Sequence, residues 1–257
     1  MTPASEPCQF GRDGALIGMY HGVAGHAPVG MLLCPPLGQM LLRTHRVYRQ
    51  LASGLAARGI GVLRFDYHGT GDSAGDSLAL DWQHCLADIR SAAAELRVRS
   101  GCATVVGFGA QLGGSLALAG AATTGFARLI LWDPVLDGAR HVAELDAGQE
   151  ALRNDPLHYA RPRGVEEAAG QWLGFPVSAQ WRAQLAGWRA EPARVPTLIL
   201  DSRPEPVAGG WSPLAEAGAR VLAMPVSTDW SDLHRLEHAI LAPDLLRMVG
   251  AALEPAA

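Results

Sequence analysis

GFGAQLGG, residues 107–114, is the stretch whose reading decides the fold. ATVVGF (103–108), which runs into it, is short, β-branched and apolar, as a buried strand is. SLALAGAA (115–122), which leaves it, is a run of small helix formers. Between them Gly109, Gly113 and Gly114 frame Gln111. This spacing belongs to a sharp strand-to-helix turn that forces its central residue into a strained backbone conformation, with small neighbours making room.

Outward from this turn the same alternation repeats. Apolar runs lie at 16–21, 29–34, 61–67, 127–132, 196–201 and 219–224. Amphipathic stretches lie between them at 44–58, 81–99, 112–122 and 241–253. Strands that are apolar nearly throughout, alternating with helices, predict a mostly parallel sheet covered on both faces. The runs 16–21 and 29–34 are close in sequence and are expected to pair as an antiparallel edge. The alternation fails over 138–193, which has no strand-like run but holds Tyr159, Trp172, Phe175, Trp181 and Trp188 among charged residues. This segment reads as a helical cap inserted into a core formed by 1–137 and 194–257. Its aromatics either pin the cap to the core or form an apolar lid, with Trp172 and Trp181 as pocket residues, and both roles are compatible.

Bulk properties narrow the partners. The chain has 257 residues, 49% hydrophobic and 18% charged, with a net charge of −4, enough apolar material for a core and no basic block for nucleic acid. No stretch approaches the roughly 18 apolar residues of a membrane span. MTPASEPCQF has neither the basic start nor the apolar run of a signal peptide, so a soluble, cytoplasmic protein is expected. Cys8, Cys34, Cys85 and Cys102 show no metal-ligand spacing, and neither a metal nor an organic cofactor is expected.

In an open parallel sheet, ligands bind beyond the C-terminal ends of the strands. CPPLGQM (34–40) is a rigid loop whose Leu37 and Gly38 amides could donate to an oxyanion, or a turn that only starts a helix. DYHGTGDSAGD (66–76) is a glycine-rich loop without the Lys-Ser/Thr of a phosphate loop. At the central turn a serine or cysteine would be a nucleophile, but the carboxamide of Gln111 is a poor one. Gln111 could donate to a carbonyl or fill the site, the Leu112 amide could still face an oxyanion, and Ser115 reads as packing. DSRPEPV (201–207) offers Glu205 as an acid, with Asp201 and Asp133 as competitors. STDWSDLHRLEHAI (227–240) offers His234 as a base, with His238 one helical turn on. Each of these could equally be a turn or surface residue.

Across about residues 10–253 the chain resembles the α/β-hydrolase superfamily, and within it the exosortase-A-system-associated hydrolases. The likeness rests on CPPLGQM followed by Arg43-Thr44-His45-Arg46, on GVLRFDYHGTGDSAGD, on GAQLGG and on LILWDPVLDG. The resemblance implies an α/β-hydrolase fold. It also implies a second branch with a bulky polar residue in the elbow and an aromatic segment where the histidine would lie, which Asp229-Trp230 fits. Three functions stay open. One is ester or thioester hydrolysis by water that His234 activates and Glu205 orients. The second is non-catalytic binding of a small acyl or lipid-linked ligand, or of a pathway partner, with Gln111 as a donor. The third is lyase, epimerase or cyclase chemistry. A homodimer is compatible with each.

Overall fold

The computed structural model describes residues 5–23, 25, 27–165, 169–204 and 210–254. Eight strands form one sheet: β1 (Ser5–Phe10), β2 (Leu16–His21), β3 (Val29–Cys34), β4 (Gly61–Phe65), β5 (Thr104–Ala110), β6 (Arg128–Trp132), β9 (Thr197–Asp201) and β10 (Arg220–Ala223). Between β6 and β9 a separate two-stranded ribbon, β7 (Gln171–Trp172) and β8 (Phe175–Pro176), makes up the strand count. The sheet order is β1-β2-β4-β3-β5-β6-β9-β10, parallel except where β2 meets β1 and β4.

The expected pairing of 16–21 with 29–34 does not occur. β2 is antiparallel to β1 on one side and to β4 on the other, and β3 lies beyond β4. β1 escapes the sequence because only Cys8 and Phe10 of its six residues are buried. The parallel β3–β4 pair needs the crossover helix α1 (Gln39–Ala56) between its strands, and that connection places β4 next to β2.

β3 shows why the central strands read as apolar throughout. Met31 and Leu33 point to one face, where they meet Val47, Leu51 and Leu55 of α1 and Val249 of α7 (Leu245–Leu253). Leu32 and Cys34 point to the other, where they meet Ile89 and Ala93 of α2 (Trp82–Ser100) and Leu116 of α3 (Gln111–Ala119). Each such buried aliphatic side chain contributes about 1.5–3 kcal/mol, so the two faces together hold the sheet between its helix layers.

The segment between β6 and β9 holds α5 (Gly138–Arg153), the β7–β8 ribbon and α6 (Ala179–Gly187), after the short α4 (Ala121–Thr124). Asp137 caps α5 by accepting from the Arg140 amide at 3.0 Å, and Ser178 caps α6 by accepting from the Trp181 amide at 3.1 Å. The two helices touch at Gly138, where a Cβ would lie 1.7 Å from the Leu185 carbonyl. Trp82 on α2 packs against Trp188 and Trp181 at ring-centroid distances of 4.9 and 6.1 Å, tying the segment to the core. The ribbon is a regular strand pair in a stretch whose sequence shows no strand-like run.

Candidate functional site

The site is built on the turn between β5 and α3. Gln111 has φ +48°, a left-handed conformation that costs a non-glycine residue about 1–2 kcal/mol. The glycines beside it let three backbones meet. A Cβ on Gly113 would stand 2.4 Å from the carbonyl oxygens of both Cys34 and Pro35, and one on Gly109 would stand 2.5 Å from the Gly113 backbone. The loop after β3 therefore rests directly on the first turn of α3. A buried side chain fixes the contact: the Tyr48 hydroxyl accepts from the Ala110 amide at 2.8 Å and donates to the Cys34 carbonyl at 3.0 Å. This tyrosine's role is not legible in the sequence, because on α1 it reads as one more apolar position.

Leu37 and Gly38, from that loop, line a cavity of about 400 Å³ together with Gln111. Leu112 follows Gln111 into α3, and its side chain is buried in the core beneath. Trp172 and Trp181 also line the cavity, as do Gly69, Thr70 and Gly71 of the glycine-rich loop. Most of the remaining wall is apolar: Met40, Leu41, Leu80, Leu145, Leu173, Phe175, Val177, Leu233 and Leu236.

Of the two described carboxylates weighed from sequence, Asp133 and Asp201, Asp133 is the one bonded to the Gln111 turn. It follows β6 directly, with φ +43°, and is 2% exposed. It accepts from the Ser202 amide at 2.9 Å, from the Ser202 hydroxyl at 2.5 Å and from the Trp230 indole N–H at 2.8 Å. Burial pushes its carboxyl above the ordinary range, and the donors from Ser202 and Trp230 oppose that rise only in part. Its backbone carbonyl accepts from the Gln111 carboxamide Nε2 at 2.9 Å. Asp201 is engaged elsewhere, with Arg203 Nε at 3.0 Å and the Trp211 indole at 2.8 Å. Burial tends to raise its pKa, but those two partners together leave it below the ordinary value. Glu205 lies outside the described residues.

Of the two histidines expected here, His238 does not face Asp133. His238 is exposed, with its amide bonded to the Arg235 carbonyl at 2.9 Å, and it is not among the cavity's lining residues. His234 lies in a turn, Leu233–Arg235, and its side chain is outside the described set. Trp230 holds the place opposite Asp133, packed edge-on against Trp132 at 4.8 Å. Its carbonyl accepts from the buried Arg43 guanidinium at 2.9 Å. Burial lowers the Arg43 pKa, and Asp232 and Asp229 offset part of that cost.

Two further residues escaped the sequence. His141 and Glu144 are the cavity's ionisable lining residues among those described, and they share one face of α5 with Leu145 and Gly148, at i, i+3, i+4 and i+7. His141 Nδ1 stands 3.9 Å from Glu144 Oε2, an ion-pair contact longer than a hydrogen bond. The nearby ring holds the Glu144 carboxyl below its ordinary range, against burial, and Arg140 helps. Among the described residues no three His, Cys, Asp or Glu side chains converge on a metal position.

Comparison with known proteins follows the geometry. A family model described as serine aminopeptidase, S33, matches residues 42–159. No curated protein matches the chain in sequence. Among solved structures, an esterase from Pyrococcus furiosus is 11% identical with a TM-score of 0.68, over 98% of this chain and 90% of that one. The bottromycin epimerase in complex with bottromycin A2 is 20% identical with a TM-score of 0.58, over 97% and 99%. The thioesterase domain from the curacin biosynthetic pathway is 17% identical with a TM-score of 0.57, over 97% and 99%. The chain has the α/β-hydrolase fold. At these identities the likeness is one of fold, and no described helix is long and apolar enough to cross a membrane.

Proposed function

We propose that this chain binds an acyl-type, largely apolar small molecule and does not hydrolyse it through a covalent serine mechanism. The observation that carries this reading is the constellation around Asp133. A working triad sets a serine, a histidine and an acid in sequence, the acid orienting the imidazole that takes the serine's proton. Here the residue at the turn is a carboxamide that donates to the Asp133 carbonyl. The ring bonded to the Asp133 carboxylate, beside Ser202, is an indole, which donates a hydrogen bond and does not act as a base. Among the described residues along this line, none is a nucleophile and none is a base to activate one.

What remains is a shaped apolar cavity with a rigid floor. The segment 138–193 serves as its lid over a core of 1–137 and 194–257, since α5, the ribbon and α6 all contribute to the wall. A serine-less elbow with Trp230 in the histidine's place also fits the second branch of the exosortase-associated resemblance.

The test is a panel of octanoyl esters and thioesters on wild type, Gln111→Ser and Gln111→Ser/Trp230→His, with binding followed through the fluorescence of Trp172, Trp181 and Trp230. Wild type and Gln111→Ser should be silent while both bind acyl probes. Only the double variant is expected to gain turnover, because the ring bonded to Asp133 among the described residues is an indole and not an imidazole. Turnover by wild type, or by Gln111→Ser alone, would overturn the reading, as would an absence of binding.

A further inference from the structure

The cavity's polar side chains are nearly all engaged by the protein itself. Gln39 donates to the Leu236 carbonyl at 2.5 Å, Thr70 to the Tyr67 carbonyl at 2.9 Å and Ser231 to Asp229 at 2.8 Å. Trp230 and Gln111 are held by Asp133, as described above. Among the described lining residues, the side chains of His141, Ser77 and Trp181 are left without a hydrogen bond to the protein, and of these His141 alone is ionisable. The His141 side chain is only 15% exposed, whereas that of Glu144 is 56% exposed and is also bonded to Arg140 at 2.8 Å. Glu144 therefore sits at the mouth and His141 inside.

The orientation of the ring sets what it can recognise. With Nδ1 turned toward the Glu144 carboxylate, the proton of a neutral imidazole is favoured on Nδ1. Nε2, across the ring, then carries a lone pair and accepts a hydrogen bond. A carboxylate brought there would face a lone pair with a second carboxylate behind it. An ester would offer only acceptors to an acceptor. A hydroxyl or amide N–H would fit.

We propose that His141, oriented by Glu144, reads the ligand's head group, and that the cavity takes an apolar chain carrying an uncharged hydrogen-bond donor, a hydroxyl or amide N–H, in preference to a free carboxylate. The proposal rests on the reading of the cavity as an acyl-type binding site and names which end of the ligand is recognised. The chain lies against Trp172, Phe175, Trp181 and Leu173, and the donor meets α5.

The experiment uses three probes of one chain length, decan-1-ol, methyl decanoate and decanoate, titrated at pH 8 against wild type, His141→Phe, His141→Gln and Glu144→Gln. Wild type should bind the alcohol about tenfold more tightly than the other two, the size of one hydrogen bond in a desolvated site. His141→Phe should lose that preference while still binding methyl decanoate. His141→Gln, which keeps a polar group at the position, covers the case in which the phenyl ring disturbs packing. Glu144→Gln, an exposed change, should narrow the gap between alcohol and decanoate. Equal affinity of wild type for all three probes, or an equal loss for all three in both His141 variants, overturns the proposal and leaves the binding site standing. Absence of binding by every probe overturns the binding-site reading and this proposal with it.

Discussion

Tyr48 carries more of the site's geometry than any residue that touches the cavity. Its hydroxyl lies between the last amide of β5 and the last carbonyl of β3, so it sets how far the elbow stands from the loop bearing Leu37 and Gly38. Tyr48→Phe keeps the ring and its edge-on contact with Phe108 at 5.5 Å but leaves the Ala110 amide buried and unbonded. A buried donor stripped of its partner costs about 1–3 kcal/mol. Urea denaturation should show a loss of that size, with the denaturant slope unchanged, and a loss below about 0.5 kcal/mol would mean that water or a shifted backbone replaces the hydroxyl. The contrast with Gln111 shows what sequence can convey at this scale. Gln111 was legible because its neighbours, Gly109 and Gly113, spell out the turn locally. The difference between Asp133 and Asp201 was not, because it is made by donors from Ser202 and Trp230, 69 and 97 residues away along the chain.

Elements differ in how much backbone contact fixes them. α3 is fixed by the approach of the Cys34–Pro35 backbone to Gly113, which leaves no room for a methyl group. Gly113→Ala must push the loop off the helix, at about 3 kcal/mol by the cost of overpacking. It should also move Leu37 and Gly38 away from Gln111, read as weakened probe binding even where the variant is folded. The ribbon is held differently. Its turn places Leu173 at φ +50° and Gly174 at +90°, both left-handed, as a two-residue hairpin of the right twist requires. The Leu173 amide donates to Gln149 at 2.6 Å, and the Trp172 indole donates to Asp146 at 2.8 Å, both on α5. Arg182, foremost, and Trp172 hold the Asp146 carboxyl below its ordinary range. A depressed carboxylate contributes stability that is complete above the unfolded value of about 3.9 and disappears as pH falls through the lower folded value. Because the Asp146 side chain is 41% exposed, that contribution is at most about 1 kcal/mol. Tryptophan emission should therefore shift on acidification below pH 4 in wild type, and Asp146→Asn should show the shifted signal already at pH 7. An identical acid titration in both would mean that the ribbon is held by packing alone. The core strands were legible because burial on both faces leaves them apolar, whereas β1 and the ribbon carry too few buried residues to leave a pattern.

At the scale of the whole molecule, the cavity is a place where stability and binding are set against each other. The sheet and its two helix layers fill their own interiors, with side chains such as Leu32, Leu33, Phe108 and Trp132 fully buried, while the space under α5 is left open. Gly148 is the residue through which that space can be closed. It lies within α5, and a Cβ there would meet only Leu173 and Leu233, at ordinary contact distances of 3.6 and 3.8 Å. A leucine at this position improves helix propensity by about 0.8 kcal/mol and brings further apolar surface out of water. The ligand-free Gly148→Leu protein should therefore melt about 2–4 °C above wild type. Its side chain also fills the volume that a bound chain would take. Wild type saturated with decan-1-ol at a hundred times its dissociation constant gains about 2.7 kcal/mol by mass action, and Gly148→Leu should gain none. Paired thermal melts with and without the alcohol should cross: the variant is the more stable protein alone, and wild type the more stable in the ligand's presence. A glycine kept where leucine stabilises is then explained by the ligand it leaves room for. A variant that still gains the full increment would place the bound chain away from α5, and the head-group assignment to His141 would fall with it.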